Sequence, residues 1–306
     1  MTLARRGFLG GALLSSVVFP ALPGFAQAGM PPRKASKLTV RQIHSGHSLT
    51  DTYMSWPWPG RLVLATETQV PGQVDDEIIA KSTIPGSPLH WRWSHSSGEP
   101  DAKRDIDRYE LLVITEGGPL SVEDWLFQEV TLQSIDLWTE NTWKRGNRGK
   151  GAEMMLYSFW VQLDTPGGNE GEGYDALPFR ERLEVQGKLW ERLQDHANAN
   201  RPSGMPLIYM IPGHLLVMRL YDDIKAGKVP GITAISALFE DDIHMNAIGN
   251  YAVTMLVYAV IYQRNPKELP DRLAEEDRVM TSAQARYFKD VAWKVAKSYD
   301  RAGLPG

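Results

Sequence analysis

The chain has 306 residues, of which 42% are hydrophobic and 23% charged, and its formal net charge is −4. That composition excludes a disordered or collagen-like protein and a basic nucleic-acid footprint, and the length favours one large α/β domain over two. With no cysteine, disulfides, thiolate metal sites, a cysteine nucleophile and iron–sulfur clusters are excluded as well.

Thr2-Leu3-Ala4-Arg5-Arg6-Gly7-Phe8-Leu9 precedes an apolar run from Gly10 to Phe25 and then Ala26-Gln27-Ala28. Paired arginines, a modest apolar stretch and an A-x-A end read as a twin-arginine export signal over 1–28, implying a periplasmic or secreted protein. An uncleaved N-terminal anchor is the alternative, although Gly, Ser and Pro break the run too often for a good span. Residues 29–37 read as a basic, proline-containing linker, and 38–306 as the folded domain with a helical C-terminal extension.

Leu38 to Ile43 predicts a first strand, ending in the turn His44-Ser45-Gly46-His47-Ser48. Asp51 to Thr68 predicts partial helix, interrupted by Trp56-Pro57-Trp58-Pro59-Gly60. Asp76 to Thr83 is the second strand, and the continuous apolar run Leu111-Leu112-Val113-Ile114 is the third. Ser121 to Trp143 has helical periodicity, with Ser121 and Asp124 as a variant capping box, and the basic Gly-rich segment 146–151 reads as a loop. Met154 to Val161 predicts strand four, Arg180 to Ala197 an amphipathic helix, and Pro206 to Ile211 strand five. A helix to about Lys225, an apolar helix from Asn246 to Gln263 and a final helical stretch from Ala274 to Arg301 complete the chain. Strands alternating with helices predict a parallel sheet covered on both faces, with the active site beyond the carboxyl ends of the strands.

Two segments carry candidate chemistry. In Gly46-His47-Ser48-Leu49-Thr50-Asp51 a serine stands between strand one and a helix, where a hydroxyl nucleophile and an anion-stabilising amide coincide. A plain helix-capping serine is the competing reading. In Asp241-Asp242-Ile243-His244-Met245-Asn246 the three-residue spacing lets a carboxylate hold one imidazole nitrogen while the other stays free. Here, too, capping of the next helix by Asp241, Asp242 and Asn246 competes.

Taken together, Gly46-x-Ser48-x-Thr50-Asp51 near the start and Asp241-x-x-His244-x-Asn246-x-x-Gly249-x-Tyr251 near the end resemble the first and last blocks of the SGNH (GDSL-like) hydrolase superfamily, in matching order and separation. The resemblance spans roughly residues 38–263. It implies a flavodoxin-like three-layer α/β sandwich on a five-stranded parallel sheet, with Ser48 as nucleophile, His244 as base, Asp241 as orienting acid, and no metal or cofactor. The implied activity is that of a serine esterase removing a small acyl group from a small-molecule or glycan ester. Acyl transfer on the same triad, or a catalytically weak carbohydrate-binding protein, are the alternatives. Gly86 suits the family's glycine after strand two, which with the Ser48 amide would bind the oxyanion. After strand three the family carries Gly-x-Asn-Asp, whereas this chain has Thr115-Glu116-Gly117-Gly118. An ionised glutamate only accepts hydrogen bonds, so Glu116 is expected near the site but turned from the oxyanion, toward a substrate hydroxyl, His90 or Arg92.

Trp56, Trp91 and Trp93 flank these segments and are candidate substrate contacts, because flat apolar faces suit sugar rings or acyl chains. Trp160 and Trp190 are assigned to the core. His44, His47, His90 and His95 lack a metal-site spacing. Segment 146–151 lacks the phosphate-loop spacing, and no G-x-G-x-x-G occurs. The acidic loop 169–172 reads as solvated. Neither a nucleic-acid partner nor stable membrane insertion after signal removal is expected.

Overall fold

The computed structural model describes residues 29–55, 59–166 and 171–305; the expected export signal at 1–28 and the candidate contact Trp56 lie outside the described residues. Five strands, β1 (Gln42–Gly46), β2 (Ile79–Thr83), β3 (Leu111–Ile114), β4 (Glu153–Ser158) and β5 (Tyr209–Pro212), form one all-parallel sheet in the order β2-β1-β3-β4-β5. This is the flavodoxin-like strand order, whose switch point lies between β1 and β3. Helices α1 (Ser48–Met54) and α2 (Arg61–Glu67) follow β1, and α3 (Leu89–Ser94) follows β2. A short α4 (Asp124–Leu126) runs through a π-helical turn at Phe127–Leu132 into α5 (Gln133–Gly149). Then come α6 (Phe179–Asn200), α7 (Gly213–Lys225), α8 (Ala247–Tyr262) and α9 (Ser282–Ser298). α1, α2, α8 and α9 pack on one side of the sheet and α3, α5 and α6 on the other, while α7 touches both α6 and α9. The result is a three-layer sandwich with the fully buried strands at its centre.

β3 and the helices near 180–200, 213–225 and 247–262 lie where the periodicity puts them. β1 lies further along than expected, because Leu38 and Thr39 form a turn while His44-Ser45-Gly46 continues the ladder. Polar residues can occupy this buried central strand because each finds a partner. Gln42 Nε2 donates to Tyr262 Oη at 2.7 Å, and His44 lies between Gln42 Oε1 (3.0 Å) and Tyr53 Oη (3.3 Å). Asp75 Oδ1 accepts from the Glu77 and Ile78 amides, so the chain there is a turn and β2 starts later, at Ile79.

Ser121 does not cap a helix. Its hydroxyl accepts from the Glu123 amide and the helix begins at Asp124. Segment 146–151 leaves helical geometry at Gly146, Asn147 and Arg148, in keeping with a loop. The final stretch is α9 flanked by short 3-10 turns, its start closed by a Thr281/Gln284 capping box. The expected linker is docked instead. Arg33 is buried, its guanidinium donating to the Ile261 carbonyl at 2.9 Å and pairing with Glu153 at 2.6 Å. The Pro31 carbonyl accepts from Tyr209 Oη. Among the described residues no helix is long and apolar enough to cross a membrane.

Candidate active site

Ser48 is the first residue of α1, at the carboxyl end of β1. The capping role belongs to its neighbour: His47 is the N-cap, and its Nδ1 accepts from the Leu49 amide at 3.3 Å. Its Nε2 donates to the Glu116 carbonyl at 2.9 Å, which ties the start of α1 to the end of β3. Accepting at one nitrogen and donating at the other requires neutral imidazole. Burial and the nearby Arg92 charge act in the same direction, holding the His47 pKa down at about 4.

With capping done by His47, the Ser48 hydroxyl is free for another partner. Its Oγ lies 2.9 Å from His244 Nε2, and His244 Nδ1 lies 2.7 Å from Asp241 Oδ2. Asp241 Oδ1 accepts from the amides of His244 (2.6 Å) and Ile243 (2.8 Å). Those two amides and the imidazole pull its pKa to about 2, although the carboxylate is exposed. Asp241 is therefore ionised through the neutral range and favours the His244 tautomer with hydrogen on Nδ1, leaving Nε2 to accept from the serine.

The loop that carries this pair is fixed from several sides. Phe239 and Met245 form an antiparallel bridge, and the buried Trp160 indole donates to the Ile243 carbonyl at 2.8 Å. Asn246, not Asp242, caps α8, accepting from the Ile248 and Gly249 amides while its Nδ2 holds the carbonyls of Ala237 and Phe239. Asp242 instead accepts from the Asp164 amide at 2.7 Å and so anchors the segment after β4.

Gly86, in the loop after β2, has φ +66°, a conformation that favours glycine. Among the described residues neither the Ser48 nor the Gly86 amide has a hydrogen-bond acceptor. The Gly117 amide, the other backbone donor nearby, is taken by Glu116 Oε1 at 2.7 Å. The Leu89 amide donates to the same oxygen at 2.7 Å. The Glu116 side chain thus turns to the start of α3, and its backbone carbonyl turns to His47.

Arg92, buried on α3, joins three strand ends: it donates to Ser45 Oγ of β1 and to the Ser87 and Thr115 carbonyls after β2 and β3. Burial lowers its pKa to about 10, against the upward pull of Glu116, so it remains a cation.

A cleft of about 280 Å³ opens at these strand ends, walled by Gly86, His90, Glu116, Leu126 and Val130 among others. Neither Trp91 nor Trp93 is part of its wall. Trp91 is exposed and stacked on His95 with ring centroids 3.7 Å apart. Trp93 packs edge-on against Trp138, with the Lys103 ammonium 4.1 Å from its ring centroid, in the packing of α3 on α5. Trp160 and Trp190 are core residues, with Trp160 lying just beyond β4.

His44, His47 and His95 are engaged separately, and among the described residues no cluster of three or more metal-ligating side chains occurs. The sequence reading missed three contributors. His47 was visible beside the serine, but its capping role depends on a carbonyl 69 residues away. The Arg92 and Trp160 contacts are equally non-local and had no spacing signal. No protein-family model and no curated protein matches the chain.

Proposed function

We propose that the chain is an SGNH-type serine ester hydrolase. The observation that carries this is the continuous Ser48–His244–Asp241 hydrogen-bond relay, assembled from residues nearly two hundred positions apart at the carboxyl edge of a flavodoxin-like sheet. In this reading His244 Nε2 takes the Ser48 proton as Oγ attacks the ester carbonyl carbon. The Ser48 and Gly86 amides receive the oxyanion, a term worth about 3–4 kcal/mol per donor in serine hydrolases. His244 then protonates the leaving alkoxide. Water, deprotonated by the same imidazole, next attacks the acyl carbon, and the imidazolium returns the proton to Ser48 Oγ as the acyl C–O bond breaks and the acid leaves. The fixed Asp241 carboxylate stabilises the imidazolium at each stage. The paired-arginine pattern at Arg5 and Arg6 suggests that this hydrolase works outside the cytoplasm.

The test is labelling with a serine-directed fluorophosphonate, read by intact mass and peptide mapping, alongside turnover of a chromogenic acetyl ester. A single adduct on Ser48, with turnover lost in Ser48→Ala, is the expected result. An unlabelled Ser48 in the folded protein, or full turnover in Ser48→Ala, overturns the proposal.

A further inference from the structure

Glu116 departs from the asparagine motif that the resemblance leads one to expect after β3, and its surroundings suggest what it does instead. The residue is 3% exposed, yet it forms part of the cleft wall. Oε1 is fully engaged by the Leu89 and Gly117 amides. Oε2, withdrawn from solvent, has no hydrogen-bond partner among the described residues. Buried carboxylate oxygens are seldom left in that condition, since the lost hydration is otherwise uncompensated. Arg92 supplies opposite charge nearby, but its own donors go to Ser45, Ser87 and Thr115.

The rest of the cleft has both apolar and polar walls. Leu126 and Val130, the latter on the π-helical turn, give it an apolar part, and Glu116 lines it together with His90, Ser121 and Thr131. Gly117 and Gly118 let the backbone lie flat there, because a Cβ on Gly117 would meet Pro88 at 2.8 Å and one on Gly118 would meet the Phe159 ring at 2.1 Å. Its volume, about 280 Å³, lies just below the roughly 300–1,000 Å³ of small-molecule sites, which suits a compact group. Ser48 and His244 do not line this cleft, but Gly86 does, and Glu116 ties its wall to the residue before Ser48 through the carbonyl bound by His47.

We propose that Glu116 is a specificity residue whose Oε2, brought to the cleft surface by a small side-chain movement as the substrate seats, accepts a hydrogen bond from a hydroxyl on the substrate group bound there. The enzyme thereby selects esters whose cleft-bound part is a hydroxylated ring over equally sized bare hydrocarbon. A site with a buried acceptor rejects the analogue that lacks the donor far more strongly than a hydrophobic pocket rejects a missing methylene. The inference deepens the esterase reading and rests on it for its kinetic arm only.

Glu116→Gln separates specificity from architecture. The glutamine carbonyl can keep both amide bonds, which places its NH2 group where Oε2 was and replaces an acceptor by a donor. Saturation-transfer NMR with methyl glucopyranoside and with cyclohexanol reads binding without any need for turnover. The expected result is a signal from the glycoside but not from cyclohexanol in the wild type, and at least a tenfold weaker glycoside affinity in Glu116→Gln. In the kinetic arm, the ratio of kcat/KM for mono-acetylated methyl glucopyranoside over cyclohexyl acetate should fall at least tenfold in Glu116→Gln, and an unchanged ratio overturns the inference. Equal glycoside binding by the two proteins, or a wild-type preference for cyclohexanol, overturns the inference even if Ser48 labels with fluorophosphonate. Selective glycoside binding in a protein whose Ser48 does not label would instead retain the hydroxyl site and overturn only the esterase reading.

Discussion

Replacing Asp241 by asparagine gives a sharp test of the relay, because the structure dictates which way the new amide will turn. Asp241 Oδ1 takes two backbone amides while Oδ2 takes one imidazole N–H. An asparagine has a single acceptor oxygen. Placed at the Oδ1 position, it keeps both amide bonds and loses one; placed at the Oδ2 position, it keeps one and sets an NH2 group against two N–H donors. At about 1 kcal/mol net per hydrogen bond, plus the donor–donor conflict, the first orientation wins by at least ~1 kcal/mol. The NH2 group then donates to His244 Nδ1, drives the hydrogen to Nε2, and leaves Ser48 with no base. In a serine protease triad the corresponding change lowers kcat about 10⁴-fold, equivalent to ~5.5 kcal/mol, and a similar fall is expected here. Since Asp241 is exposed and the two amide bonds survive, the melting temperature should hardly move. The assay is kcat on a chromogenic acetyl ester beside a thermal melt, with Asp242→Asn as control. Because Asp242 only anchors the Asp164 amide, its variant should retain turnover within a few-fold. A variant Asp241→Asn within tenfold of wild type, or a loss shared equally by Asp242→Asn, would refute the assigned roles.

Acid stability should follow the buried histidines. Burial lowers His44 and His214 to about 3 and His47 to about 4, so the unfolded chain binds more protons below pH 6.5. Stability should be complete above that pH and fall as pH drops toward 4, by up to ~1.4 kcal/mol per pH unit for each histidine; a melting temperature constant from pH 6.5 to 4.5 would contradict this. Trp160→Phe removes the indole donor to Ile243 and should cost about 1–2 kcal/mol of stability. It should also slow turnover at saturating ester by at least tenfold through a misplaced His244; an unaffected kcat would show that the contact does not position the loop. Asn246→Ala, which loses the α8 cap, should destabilise by roughly 1–2 kcal/mol in denaturant unfolding, and an unchanged unfolding midpoint would count against that capping role.

The fold class was legible in the chain because a buried parallel strand such as Leu111–Ile114 must be apolar on both faces, and because strands alternate with amphipathic helices. The serine and Asp-x-x-His segments were legible for a related reason: a serine between β1 and a helix and a short-range carboxylate–imidazole pair leave local marks. Local spacing could not choose between a capping and a free hydroxyl at Ser48. That choice was made by the Glu116 carbonyl, which recruits His47 as the cap and frees the serine hydroxyl for His244. Likewise Asp241 and Asp242 are indistinguishable in the string, and only the approach of Asp164 to one and of the imidazole to the other separates them. Trp91 and Trp93 look equivalent two residues apart on a short helix, but α5 lies against one and solvent against the other. Sequence therefore determined what is periodic or within a few residues. Packing decided every role that depends on a partner more than forty positions away, because a hydrogen-bond donor or acceptor acquires its function only from what the fold places within about 3 Å of it.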